Sequence, residues 1–390
     1  MQIKRYPVLY KTENECCGCT ACQAICPKEA IIFEYNNEGF LYPKVDKNLC
    51  VQCQQCENVC AFKTDSKEQP IEDTLIYAVK HKSADVIKCS SSGGLFTALS
   101  DYFLNNGNAV ASCVYNFEMD SVRLKIYNDK KNRDEARGSK YIQAELGDSF
   151  KKIEEWVVKN TGKKLMVVGT GCQIAGLDMY LKKKSLRDRV VLVDLICHGV
   201  TSPNLWKAYI HLIKGGGNLE KIAFKDKKYG WHYPRTIAII DGKEKKINSF
   251  SDWFYLGLSI RESCYSCPYT KVNRNSDITI GDYWGIEETN KKFSNPMGVS
   301  LALVHSIKGV ETFNAIKTDI DWLESDVDSY IQPRLISPEC RPSNRDAFWN
   351  DMNNFGIEYC AKKYCREDYN SIKNVLMRKV KKVTMELLLR

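Results

Sequence analysis

Eight regularly spaced cysteines in the first sixty residues constrain this chain more than any other feature. Cys16, Cys19, Cys22 and Cys26 follow the spacing C-x-x-C-x-x-C-x-x-x-C, and Pro27 comes next. Cys50, Cys53, Cys56 and Cys60 repeat it 34 residues later. Three thiolates on a tight turn can cap three irons of one cubane, while the fourth, on a short helical stretch pointing away, reaches the other cubane. The spacing therefore predicts two 4Fe–4S clusters. One uses Cys16, Cys19, Cys22 and Cys60; the other uses Cys50, Cys53, Cys56 and Cys26. Zinc is the alternative, but its sites usually draw ligands in two pairs rather than in triplets three apart. Ala61 stands where proline usually follows the second motif, and it removes no ligand. Cys17 has no place in the pattern and reads as a bystander.

The repeat is the signature of a bacterial two-cluster ferredoxin, so residues 1–65 are expected to form a small domain of that type. The chain has 18 cysteines in 390 residues, too few for a disulfide scaffold. Clustered thiols of this kind belong to a reducing compartment, and the expectation is cytoplasmic. Met1 to Glu15 holds no apolar core for a signal peptide. No apolar run approaches the ~18–20 residues of a membrane span. Net charge is +9, and residues 361–390, with nine basic and three acidic side chains, hold +6 of it. The remainder is too even for a nucleic-acid surface, so no nucleic acid is expected. The basic tail could meet an acidic partner or make peripheral contact with a membrane.

Residues 66–74, which overlap the polar run Lys63 to Asp73, read as a linker. Beyond it the pattern is α/β, with residues 75–160 and 161–305 as the two parts of one larger domain and 306–390 unassigned. Strands are expected at 75–79, 109–114, 165–168 and 190–193, then near 222–224, 236–240, 278–280 and 299–304. A helix opens after Ser90-Ser91-Ser92-Gly93-Gly94 and ends at Gly107. Residues 141–159 have helical spacing. Further helices run from about 171 to 184 and start near Ser202-Pro203. Strand and helix alternate, which implies a mostly parallel or mixed sheet covered by helices, with ligands beyond the carboxyl ends of its strands. Ile372, Val375, Leu376, Val380, Val383 and Leu387 stand at helical spacing and read as a basic amphipathic helix packed on the domain.

Cys172 and Cys197 both follow strands in this scheme. Cys264 and Cys267 form an isolated C-x-x-C that alone fits a redox dithiol, half a zinc site or half a cluster site. Together the four would converge at one sheet end, which favours a third 4Fe–4S cluster beside the catalytic site. The alternative is that Cys172 or Cys197 is only a small buried residue. Cys89, Cys113, Cys340, Cys360 and Cys365 are read that way.

A cluster passes one electron at a time, whereas most organic substrates need two, and a flavin bridges the two regimes. Its phosphates need a site. The helix opening at Ser91-Ser92-Gly93-Gly94 offers backbone N–H groups and the positive end of a dipole. A plain N-cap explains the same residues. His198 could deliver a proton near neutral pH, or serve as a hydrogen-bonded structural histidine. Trp231, His232 and Arg235 read as a surface loop in preference to a substrate-pocket lining. Asp277 and Asp282 flank a short strand.

Several motifs in order carry a resemblance. They are the ferredoxin front end, Ser-Ser-Gly-Gly-Leu-Phe-Thr at 91–97, Gly-Ser-Lys-Tyr at 138–141, Gly-Thr-Gly-Cys-Gln at 169–173, Cys-His-Gly at 197–199, the C-x-x-C at 264 and Asp-Ile-Thr-Ile-Gly-Asp-Tyr-Trp-Gly at 277–285. From residue 10 to about 305 the chain resembles the coenzyme F420 hydrogenase/dehydrogenase beta-subunit family, to which plant 7-hydroxymethyl chlorophyll a reductase is also similar. The resemblance implies an FAD-containing iron–sulfur oxidoreductase. It points to Ser91, Ser92, Gly93, Gly94, Thr97, Ser139, Lys140, Gly281 and Asp282 as flavin-binding residues. It makes Lys140, Tyr141 and His198 the catalytic candidates. Members reduce different acceptors, so no substrate and no use of coenzyme F420 carry over.

The expected path runs from a redox partner such as ferredoxin to the front-end clusters, to the third cluster, to FAD and then to a small molecule, or in reverse. Two other readings stay open. One is a non-catalytic electron-transfer subunit of a larger complex. The other is a zinc-binding interaction protein.

Overall fold

The computed structural model describes residues 5–63, 74–228, 230–232, 235–325 and 331–365. The front end is built on one antiparallel hairpin, β1 (Ile31–Tyr35) and β2 (Leu41–Val45). Each cysteine triplet precedes or enters a short helix, Ala21–Ile25 in the first motif and Gln55–Asn58 in the second. The larger domain contributes β3 (Leu75–His81), β4 (Ala109–Asn116), β5 (Ser121–Tyr127), β6 (Leu165–Thr170) and β7 (Val190–Leu195). A separate antiparallel meander follows, with β8 (Leu219–Asp226), β9 (Arg235–Ile240) and β10 (Lys243–Lys246). The chain then returns through β11 (Ile278–Asp282), β12 (Ser300–Val304) and β13 (Ile320–Glu324).

Eight of these strands form one sheet in the order β13-β3-β12-β11-β7-β6-β4-β5. The central four, β11, β7, β6 and β4, are parallel. The flanking pairings are all antiparallel. The architecture is therefore α/β with a mixed sheet whose parallel part is confined to its centre. The reason is visible in β6 and β7, near-continuous apolar runs buried on both faces, as strands covered on each side by helices must be. Successive residues of β6 alternate between two cores. Leu165 and Val167 face one, Met166 and Val168 the other.

The first core also contains Ala21, Ala24, Phe40, Tyr42 and Val59 of the front end. The cysteine-rich module thus shares its hydrophobic core with the larger domain. Two buried arginines reinforce the joint. Arg261 donates from Nε to the Cys16 carbonyl at 2.8 Å, from Nη1 to Gln143 Oε1 at 2.9 Å and from Nη2 to the Leu41 carbonyl at 3.0 Å. Gln143 in turn donates to the Cys17 carbonyl at 2.9 Å. Arg345 makes a bidentate pair with Glu38, both bonds at 2.6 Å.

Expectation and structure differ in four places. The helix expected over 141–159 begins only at Ser149. Before it the chain is extended, with Ile142, Ala144 and Leu146 buried at alternate positions and Ile142 bridged to Thr201. Gly147, at φ +49°, turns the chain into the helix. Secondly, β1, β2, β5, β10 and β13 were not anticipated; β10 is Lys-Glu-Lys-Lys, wholly exposed and held by backbone pairing to β9. Thirdly, residues 306–324 carry the helix Ile307–Ala315 and β13, which complete the sheet. Finally, Thr74, assigned to the linker, is buried, with Oγ1 3.1 Å from His305 Nδ1. The rest of the linker and the basic segment 372–387 lie outside the described residues. Among the described residues no helix is long and apolar enough to cross a membrane.

Replacing Arg261 by methionine leaves two partly buried carbonyls and the buried Gln143 amide oxygen without their donor, each worth about 1–3 kcal/mol. R261M is expected to lose roughly 3 kcal/mol or more in urea unfolding, and protease is expected to reach residues 5–63 sooner than in the unaltered chain.

Candidate functional site

The two cysteine loops of the front end have matching backbones. Gly18 and Thr20 take positive φ (71° and 65°), and so do Gln52 and Gln54, the residues 34 positions later (59° and 61°). Non-glycine residues enter this region rarely and at a cost, and such outliers cluster at functional sites. Left-handed residues of this kind recur in the backbone nests that bind anions and in many iron–sulfur sites.

The thiols group across the motifs. Burial pushes Cys22 well above the ordinary thiol range, and Cys19, Cys16, Cys60 and, last, Cys56 push it further. Cys60 is raised to about 11 by burial, with Cys19 and Cys16 adding to it. Burial likewise lifts Cys56 to about 11, with Cys26 adding to the effect. A small pocket is walled by Cys26, Cys50, Cys53 and Cys56. The fourth cysteine of each motif therefore lies with the first three of the other.

A second quartet sits at the carboxyl end of the parallel strands. Cys172 is the second residue of the helix Gly171–Lys183, directly after β6. Cys197 lies two residues beyond β7. Cys264 belongs to the 3-10 turn Glu262–Ser266, and Cys267 follows it. Burial raises Cys264 far above its ordinary value, then Cys197, Cys267 and Cys172 raise it again. Cys197 and Cys267 are each raised to about 12, by burial first and by Cys172 next. Four half-buried thiols that disfavour one another's ionisation would become thiolates together only around a positive centre, and this donor set fits a metal–sulfur group. Among the described residues no three or more His, Cys, Asp or Glu side chains meet around a point that would hold a single metal ion.

Cys17 is not a bystander in position. It is buried, and its thiol is in hydrogen-bonding reach of both Cys19 and Cys172. That contact lowers Cys172 below the ordinary thiol range. Tyr269 packs in the same place, its hydroxyl donating to the Ala61 carbonyl at 3.2 Å. Its own ionisation is suppressed by burial and by Cys17, Cys172 and Cys19. The spacing code could not reveal Cys17, because its partner Cys172 is distant in sequence.

Beyond the carboxyl ends of β4, β6, β7 and β11 lies a cavity of about 900 Å³. Ser91, Ser92, Gly94, Ser139, Lys140 and Tyr141 line it. So do Cys197, His198, Gly281 and Asp282. Trp231, His232 and Arg235 line it as well, and Trp231 is buried rather than part of a surface loop. Gly93 and Thr97 do not reach it. A Cβ on Gly93 would stand 2.4 Å from the Val79 carbonyl oxygen, so that glycine is required by the packing of β3. Thr97 is fully buried in its helix. Asp277 lies at the other end of β11, where it accepts from Arg187 at 3.0 Å and from Leu192 N–H at 2.8 Å.

The cavity's polar groups are held in place. Ser91 Oγ is 2.9 Å from Ser139 Oγ and accepts from the Ser139 N–H at 2.7 Å, tying two of the motifs together. Lys140 donates to the carbonyls of Ala136 at 2.6 Å and Arg137 at 3.2 Å, and burial lowers it to about 8. The Tyr141 ring already stacks on Phe254, centroids 4.5 Å apart, and burial keeps its hydroxyl protonated. Both nitrogens of His198 face acceptors. Nδ1 is 3.1 Å from Glu339 and Nε2 is 3.1 Å from the Phe254 carbonyl, so proton delivery into the cavity requires one of these bonds to be released. Asp282 pairs with Lys225 and accepts from Trp284 Nε1 at 3.4 Å. Lys225 and the buried Lys227 were missed from sequence, since a lysine-rich stretch reads as a solvated face.

Residues 162–328 match the family model for the C terminus of the coenzyme F420 hydrogenase/dehydrogenase beta subunit. The coenzyme F420-dependent sulfite reductase of Methanocaldococcus jannaschii is 25% identical over 321 residues, covering 77% of this chain and 46% of that protein. The chain thus spans about half the length of that relative. A chain of the F420-reducing [NiFe] hydrogenase complex from Methanosarcina barkeri is 15% identical, with a TM-score of 0.46 over 76% of this chain and 94% of that one, a likeness too remote to inform the site. Over residues 162–328, which hold β6, β7, β11 and the second cysteine quartet, the chain is similar to the C terminus of the coenzyme F420 hydrogenase/dehydrogenase beta subunit.

Proposed function

We propose that this chain is an iron–sulfur flavoprotein oxidoreductase that exchanges electrons between a ferredoxin-like partner and a small molecule. Cys16, Cys19, Cys22 and Cys60 would hold one 4Fe–4S cluster, and Cys26, Cys50, Cys53 and Cys56 a second. Cys172, Cys197, Cys264 and Cys267 would hold a third. The 900 Å³ cavity would hold FAD, with room left for a substrate, since ligand sites run from about 300 to 1,000 Å³. Clusters supply single electrons, and a flavin supplies the change to two.

One observation carries the reading. Cys197 belongs to the quartet and also lines the cavity, while Cys17 touches both Cys19 of the front end and Cys172 of the quartet. Front-end thiols, quartet and cavity are therefore contiguous. The chain's own residues supply the rest. Ser91, Ser139 and the Lys225–Asp282 pair set polar groups on the cavity wall. Tyr141, stacked on Phe254, offers a flat face and a phenolic proton.

Anaerobic purification with analysis of iron, acid-labile sulfide and flavin tests the proposal. About twelve irons per chain and one flavin are expected. The double variant C264S/C267S is expected to lose about four of those irons. Protein holding zinc and neither labile sulfide nor flavin would overturn the reading.

Lys227 bears on flavin retention. Its ammonium donates to the carbonyls of Ile87 at 2.7 Å, Ser92 at 3.0 Å and Met297, bracing the loop that carries Ser91, Ser92 and Gly94. K227M should weaken the braced loop by about 2 kcal/mol, roughly thirtyfold in flavin retention. Flavin fluorescence released on dilution measures this, and retention equal to the unaltered chain would count against the cavity as the flavin site.

A further inference from the structure

Among the described residues, one donor of Arg274 finds no acceptor. The side chain is 1% exposed. Nε donates to the Lys271 carbonyl at 2.7 Å, and Nη1 to Asp194 Oδ2 at 2.9 Å. Nη2 is buried with no hydrogen-bond partner among the described residues. An orphaned guanidinium N–H in a protein interior is costly, and such a group in a native fold calls for an acceptor supplied by something else.

Its surroundings indicate what that acceptor is. Arg274 lies seven residues after Cys267, and its positive charge acts on both Cys197 and Cys267. On the other side is Gly171, the residue before Cys172. A Cβ there would stand 2.9 Å from Arg274 Nη1 and 3.2 Å from Asp194 Oδ2. The glycine therefore makes room for the guanidinium beneath the turn that presents Cys172. Asp194, 2% exposed, is itself satisfied, with Ser276 Oγ donating to it at 2.9 Å and Thr279 Oγ1 donating as well. The pair thus holds a fixed cation beside the cysteine quartet with one nitrogen unspent.

We propose that Nη2 of Arg274 donates hydrogen bonds to sulfur of the cluster held by Cys172, Cys197, Cys264 and Cys267, and so raises that cluster's reduction potential. This rests on the reading that the quartet holds a cluster. Hydrogen bonds to cluster sulfur and nearby positive charge stabilise the more negative, reduced state. The raised potential favours the electron residing beside the cavity, on the side of the relay where the two-electron chemistry takes place.

The test is a potentiometric titration of the purified full-length holoprotein, followed by electron paramagnetic resonance, with iron and sulfide counted in parallel. The C264S/C267S variant identifies which signal belongs to the quartet. Arg274→Lys keeps a cation for Asp194 but cannot also present a second fork of N–H groups. R274K with full iron is expected to lower that signal's reduced-to-oxidised ratio about tenfold at fixed potential, a shift of about 59 mV for one electron. The front-end signals should stay where they are. An unshifted quartet signal at full iron content overturns the inference and leaves the cluster reading standing. Equal iron in the unaltered chain and in C264S/C267S overturns the cluster reading, and the inference with it. Where R274K loses iron, R274Q/D194N, which removes both buried charges together, carries the same measurement. Loss of iron there too makes Arg274 a structural residue and overturns the inference.

Discussion

The close seating of the Cys19 loop on the helix Gly171–Lys183 is the contact on which the rest of the structure depends. A Cβ at Gly176 would stand 2.6 Å from Cys19 Sγ, so only glycine lets the two meet. Gly176 is one helical turn from Cys172 and on the same face. A single helix therefore seats a front-end thiol and presents the first thiol of the second quartet, with Cys17 between them. Arg261, Gln143 and the Arg345–Glu38 pair hold that arrangement by satisfying buried carbonyls and carboxylates on both sides.

The mixed sheet explains where the cavity lies. Its parallel centre sends β4, β6, β7 and β11 in one direction, and the loops at their carboxyl ends spread apart to leave a crevice. Antiparallel pairings flank this centre on both sides. The serine–glycine segment serves both structure and site. Gly93 lets the chain cross β3 and β12, Gly94 at φ +92° opens the helix Leu95–Asn105, and Ser91 and Ser92 are left on the cavity wall.

Much of this was legible beforehand, and the reason differs by residue. The front-end cysteines follow a local spacing, since short loops and helices of four or five residues carry them. The apolar runs of β6 and β7 and the Ser202-Pro203 helix start are equally local, with Ser202 Oγ accepting from Leu205 N–H at 3.2 Å. Residues 141–148 misled because Ile142, Ala144 and Leu146 fit an alternating pattern that overlaps helical spacing over so short a stretch. Trp231 looked like part of a surface loop because its neighbours are polar, yet the meander folds it against the cavity. Cys17, Arg274 and Lys227 carried no readable signal. Each acts through partners more than fifty residues away or through carbonyls that any residue could supply.

By itself the sequence determined the cysteine spacing, the alternation of strands and helices, and the candidates for one site. Those properties depend on near neighbours along the chain, where backbone geometry leaves few choices. Only the tertiary structure decided that Cys197 would belong to a thiol quartet and a cavity wall at once, that Cys17 would join two groups of thiols, and that a buried guanidinium would be left with an unspent donor. Those relations arise where separate loops meet at the end of a sheet, and no local pattern encodes which loops will meet.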